Sequence, residues 1–198
     1  MADTKDITTK PNEVNWIKTF ISRLEDDLKT FDKKLRAKDG KNLPYSSEIL
    51  TYDSSDEPKN MHSLKYETDI LIYEQGIETW KPRIIIEGKI NSVTTHDAIT
   101  YSQKSQTHKN VHPFLRYGIL LGNRQHYPLP GRLFRHGANF DFMLSWKEFN
   151  PDRKEWTILL DVIKDEFESS KKLEEIIFNS RSRDRKKFTV LHRPLRLK

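Results

Sequence analysis

Tyr66-Glu67-Thr68-Asp69-Ile70-Leu71-Ile72-Tyr73 and, after a short turn, Arg83-Ile84-Ile85-Ile86-Glu87-Gly88-Lys89 decide how this chain is read. Ile84, Ile85 and Ile86 form a continuous apolar run of the kind that fills a buried strand. In extended backbone, residues two apart share a face, so Glu87 and Lys89 point the same way. The two segments read as neighbouring strands whose polar ends carry an Asp, a Glu and a Lys. Paired carboxylates repel unless a cation lies between them, and hard oxygen ligands suit Mg²⁺. A lysine beside such an ion can hold or activate a water, the set of parts that phosphodiester hydrolysis requires.

The tripeptide alone has no weight. An acid two residues before a lysine occurs eight times, at Asp3, Asp27, Asp32, Asp39, Glu57, Glu87, Asp152 and Asp184. Only the Glu87 copy closes a β-branched run and follows a second apolar strand with its own acid, Asp69. The plain alternative is a cross-strand charge pair of the sort that decorates many sheets.

With that context, Asp69 and Glu87-Gly88-Lys89 resemble the core motif of the PD-(D/E)XK nucleases, a superfamily that includes the Type II restriction endonucleases. The likeness covers roughly residues 45 to 122, with Thr68 in the place of the proline of the family name. It implies an α/β fold, a restriction-endonuclease-like mixed β-sheet flanked by helices. It also implies divalent metal, Mg²⁺ with Mn²⁺ able to substitute, held by Asp69, Glu87 and the Gly88 carbonyl, with Lys89 orienting or deprotonating the attacking water. Glu48, ahead of the strands, stands where many members carry a helix-borne glutamate, and is a candidate outer metal ligand. Thr94 or Thr95 caps a helix beginning near Asp97 and stopped by Pro113. In relatives a Gln or Lys of this helix reaches toward the scissile phosphate, a role that would fall on Gln103 and Lys104. The strand from Phe114 to Gly122 follows.

The rest of the chain is read by pattern. Residues 1–10 form a flexible polar leader. Ile17, Ile21, Leu24, Leu28, Phe31 and Leu35 recur at steps of four and three, which predicts a long amphipathic helix over residues 11–42, ended by a turn at Asp39-Gly40-Lys41-Asn42. Residues 43–122 form the catalytic core, with a loop at Asp53 to Asn60. Residues 123–152 read as irregular recognition loops in which Arg124, Arg132 and Arg135, with His136, can reach phosphates or guanine edges. Within them Phe140 to Leu144 reads as a strand, with Asp141 buried or at an edge. A long helix runs from about Glu155 to Asn179. His108 and His112 lack the acid between them of a zinc-protease helix and are expected at the surface or facing DNA.

Composition sets the bounds. At 198 residues the chain is expected to be one domain. It has no cysteine, which excludes disulfides, thiolate zinc sites and a cysteine nucleophile. No apolar run approaches a membrane span or a secretory signal, so a cytoplasmic protein is expected. No phosphate-binding glycine loop occurs, so no nucleotide cofactor is expected. The net charge of +6 is uneven: residues 181–198 hold eight Lys/Arg and one acid. That segment, with Arg181, Arg183, Arg185 and Lys186, reads as an arm that tracks phosphates.

The expectation is a Mg²⁺-dependent endonuclease acting on double-stranded DNA, sequence-specific in the manner of Type II restriction enzymes and, by the same resemblance, a homodimer. The alternatives are a structure-specific repair or recombination nuclease, an RNA-directed nuclease, and a DNA-binding module without catalysis.

Overall fold

The computed structural model describes residues 12–125 and 129–179. Two short helices, α1 (Glu13–Lys18) and α2 (Ile21–Phe31), precede a long hairpin of β1 (Leu35–Tyr52) and β2 (Pro58–Gln75). Then come β3 (Trp80–Ile90), α3 (Thr95–Val111), β4 (Arg116–Gly122), α4 (Gly131–His136), β5 (Phe142–Ser145) and α5 (Arg153–Glu174), which continues through a π-helical turn, Glu175–Asn179. The strands form one mixed sheet in the order β1-β2-β3-β4-β5, antiparallel through β3 and parallel from β3 to β5. The β3-α3-β4 crossover joins two parallel strands, as the extended-helical-extended pattern of residues 83–122 requires.

Alternation in the strands divides the core into two layers. Ile70, Ile72, Ile84, Ile86 and Leu120 face α1, α2 and α5, where they meet Trp16, Ile17, Leu24, Leu28, Trp156, Leu159, Ile163 and Phe167. Leu71, Ile85, Ile119 and Leu121 face α3 and α4 through Ala98 and Leu133. Reciprocal capping boxes start the two long helices: Thr94 with Asp97, and Asp152 with Glu155. The sheet flanked by helices thus matches the expected class at the level of architecture.

The N-terminal expectation is corrected. The single helix over residues 11–42 is two helices, broken at Thr19 and Phe20, where Thr19 Oγ1 donates to the Trp16 carbonyl at 2.6 Å. The second helix stops at Asp32, whose carboxylate accepts the Lys34 N–H at 2.8 Å in a local turn. Leu35 keeps the helical spacing and joins the same core, but from a strand that pairs opposite Glu74. Asp39 to Asn42 is likewise inside β1, with Gly40 supplying φ +62°. Residues 43–50 are strand rather than helix, and the loop at Asp53 to Asn60 shrinks to a tight turn, since β2 begins at Pro58.

Candidate active site

The geometry of the site starts from register. Ile70 pairs with Ile86, so one step further Asp69 stands opposite Glu87. Asp69 Oδ2 accepts the Gly88 N–H at 2.8 Å, locking the two strand ends together. Strand alternation places Asp69, Glu87 and Lys89 on the α3 face of the sheet, the face of Leu71 and Ile85. Asp69 and Glu87 meet at the strand ends, whereas Lys89 shares their face of the sheet but directs its ammonium to Glu13.

Each of the three has a distinct environment. Glu87 is 2% exposed. The Tyr117 hydroxyl donates to Glu87 Oε1, and Lys104 Nζ lies 3.7 Å from the same oxygen. Burial, then the neighbouring Asp69 charge, pushes the Glu87 carboxyl up to about 7, against the opposing pull of Lys104 and Tyr117. Burial and the Glu87 charge push the Tyr117 phenol well above its ordinary range, so it remains a donor. Lys89 points its ammonium at Glu13 Oε2, 2.8 Å away on α1, and lies 4.8 Å from the centre of the Tyr101 ring. Burial pulls the Lys89 ammonium down, but the hydrogen bonds to Glu13 and Tyr101 outweigh it and hold its pKa above the usual lysine range.

Glycines explain how Glu13 arrives there. A Cβ on Gly88 would sit 2.9 Å from Ile17 Cδ1, and one on Gly122 would sit 2.4 Å from Trp16 Cζ2. The bare backbones of β3 and β4 therefore let α1 lie directly on the strand ends. Trp16 is further fixed by donating from Nε1 to the Phe149 carbonyl at 2.8 Å. One turn before Ile17, Glu13 then faces Lys89. Nothing local in the sequence marks Glu13, which is 76 residues from its partner. The hydroxyl of Tyr117 is equally hidden, inside an apolar strand.

The remaining expected residues are dispersed. Lys104 joins the site, with Nζ 5.2 Å from the Tyr66 ring centre and 5.0 Å from that of Tyr101. Gln103, its neighbour on α3, is exposed. Glu48 is an exposed strand residue opposite His62 on the hairpin, not a helix residue. Glu13 is the acid that a helix does bring to Lys89. Arg124 follows β4, with one guanidinium nitrogen donating to the Asn91 carbonyl at 3.4 Å and Nε buried without a hydrogen-bond partner among the described residues. Arg132 and Arg135 are exposed on α4, a short helix within the stretch read as irregular. Arg181, Arg183, Arg185 and Lys186 lie outside the described residues, as does the leader.

The expectation for His108 is corrected by burial, while His112 is half-buried. His108 is 1% exposed; its Nδ1 lies 3.1 Å from the Pro44 carbonyl and its ring stacks near Tyr117 at 5.9 Å. Desolvation lowers its pKa to about 4, so it is a neutral core residue beneath Tyr45 and Tyr66. Asp141, expected buried or at an edge, is a half-buried residue whose side chain is 5% exposed and pairs with Lys109 and Arg116.

The raised Glu87 carboxyl makes a pH prediction for metal-free protein. Between pH 4.5 and about 7 the folded state keeps a proton that the unfolded chain has released, so this group's stability contribution falls as pH rises. His108, lowered, contributes in the opposite direction over part of that window. The variant difference isolates Glu87. In EDTA, Glu87→Gln is expected to exceed the unsubstituted protein in stability by on the order of 3 kcal/mol at pH 8, and to match it closely at pH 4.5. Denaturant melts at the two pH values measure this.

No group of three or more His, Cys, Asp or Glu side chains gathers as a metal cluster among the described residues, so the carboxylate donors converging here are the pair Asp69 and Glu87. Among the described residues, no helix is long and apolar enough to cross a membrane. No protein-family model matches the chain, and no curated protein matches its sequence.

Proposed function

We propose that the chain is a Mg²⁺-dependent endonuclease of DNA, with the PD-(D/E)XK arrangement carried by Asp69, Glu87, Gly88 and Lys89. The observation that carries this reading is the pairing of Asp69 with a buried Glu87 whose ionisation is opposed by its neighbour. A site that holds two facing carboxylates, one of them desolvated, is disfavoured when both are charged, and a hard divalent cation removes that cost. The donor set fits such an ion: two carboxylates, with the Gly88 carbonyl between Glu87 and Lys89 in sequence. When bound, the ion supplies Lewis acidity at a phosphoryl oxygen and lowers the pKa of a water.

The chain's own groups divide the remaining work. Lys89, held as an ammonium by Glu13, orients a water and offers positive charge to the developing phosphorane; its raised pKa argues against its acting as the base near neutral pH. Tyr117 fixes the rotamer of Glu87 by donating to one carboxylate oxygen. Lys104, on the neighbouring helix, is placed to meet a phosphate. Site-specific cutting of the Type II kind rests on the resemblance of the motif.

Titration of the protein with Mg²⁺, followed by calorimetry at pH 8, tests the metal reading. One or two sites are expected in the unsubstituted chain and none of comparable affinity in Asp69→Asn. Equal binding by both proteins overturns it.

A further inference from the structure

The β1–β2 hairpin runs well beyond the sheet that carries it. β3 pairs with β2 only from Ile70 to Gln75, whereas β1 and β2 stay paired out to Tyr52 and Pro58. Past the bulge between Pro44 and Ser46 the arm extends on the order of 20 Å. Such a two-stranded hairpin is at best marginally stable alone in water. Yet it displays apolar side chains: Ile49, Leu50, Tyr52 and Met61 are 41%, 71%, 63% and 59% exposed. Ile49 sits opposite Met61 on one face, while Leu50 and Tyr52 occupy the other. Residues 46–64 also carry four carboxylates, Glu48, Asp53, Asp56 and Glu57, against one lysine, Lys59.

The complementary surface is α4. Its buried Leu133 anchors it to the body, and Arg132, Phe134, Arg135 and His136 are exposed with no acid among them. An acidic, apolar arm and a basic, apolar helix thus stand exposed on the same chain, so neither covers the other.

We infer that the arm of one copy seats on α4 of a second copy, and reciprocally, in a two-fold dimer. The two contacts are related by the axis and close the assembly without leaving a free end. Both contribute toward the roughly 800 Å² per partner that a stable interface needs. DNA is the poorer occupant of the arm, because its phosphates would meet the arm's carboxylates. The pairing is independent of the hydrolytic reading, since it is measured without DNA or metal.

Sedimentation velocity at tens of micromolar, in EDTA, reads the assembly. The intact chain is expected to sediment as a dimer. An arm variant, Leu50→Asp with Met61→Asp, and a helix variant, Phe134→Asp with Arg135→Glu, are each expected to associate at least tenfold more weakly, with circular dichroism unchanged because the altered side chains are exposed. Mixing the two variants is expected to restore dimers, since the intact arm of one meets the intact α4 of the other. A monomeric intact chain, undiminished association in the variants, or a mixture that stays monomeric overturns the inference. If the intact chain is monomeric and both variants lose DNA affinity, these surfaces serve nucleic acid instead.

Discussion

Lys89→Ala is expected to slow Mg²⁺-dependent DNA cleavage by about 10²- to 10³-fold, the usual loss when one positioned donor to a developing charge is removed. DNA affinity is expected to stay within a few-fold, because one ammonium among many cations contributes little to a binding step dominated by the summed phosphate contacts. The fold should survive. Lys89 caps no core, and α1 is seated by Trp16 and Ile17 on Gly122 and Gly88 rather than by the Glu13 ion pair. Glu13→Gln separates positioning from chemistry. It leaves the ammonium in place but loosens it, so a smaller loss of rate is expected, together with a lowered Lys89 pKa visible by NMR of the side-chain amine. Comparable loss of binding and cleavage in Lys89→Ala would assign the residue to holding DNA.

The largest stability effect is expected away from the carboxylates. Arg116 is 4% exposed on its side chain and lies between Asp141 Oδ1, 2.9 Å away, and Glu166, which accepts from Nε. Asp141 in turn accepts the Tyr117 N–H at 2.8 Å and pairs with Lys109 at 2.9 Å. Arg116→Ala leaves two largely buried carboxylates without their shared cation, a change that typically costs about 3–5 kcal/mol. In a domain of this size that corresponds to roughly 10–15 °C in Tm. Arg116→Lys keeps the charge but loses the planar fork that spans both acids, so an intermediate loss is expected. Thermal melts of the three proteins check the order. Because Tyr117 also donates to Glu87, the damage should reach the site as well.

How much could be read from sequence depended on whether each element's neighbours leave a local mark. The strand from Ile70 to Tyr73, the isoleucine run of β3, the capped α3 and the apolar β4 were all legible, because buried strands and capped helices write their environment into short patterns. α5 was legible for the same reason. β1 was not. It is an edge strand whose outer half faces water on both sides, so it shows no alternation, and it tolerates Gly40 and Pro44 where a central strand would not. Its inner end deceived the helical reading, because Leu35 enters the same core as Leu24 and Leu28 from a different backbone conformation. At the candidate site, the shared face of Asp69, Glu87 and Lys89 was legible because strand parity alone fixes it. Glu13, Tyr117 and the burial of His108 depend on tertiary contacts across 30 to 76 residues, and no spacing encodes them.

The most direct test of the hydrolytic reading is incubation of several plasmid and phage DNAs with the purified protein, in Mg²⁺ or in EDTA, beside Lys89→Ala. Discrete fragments that require Mg²⁺ and fade in the variant are the predicted result. Intact DNA under every condition, with the protein folded and binding Mg²⁺, would contradict it.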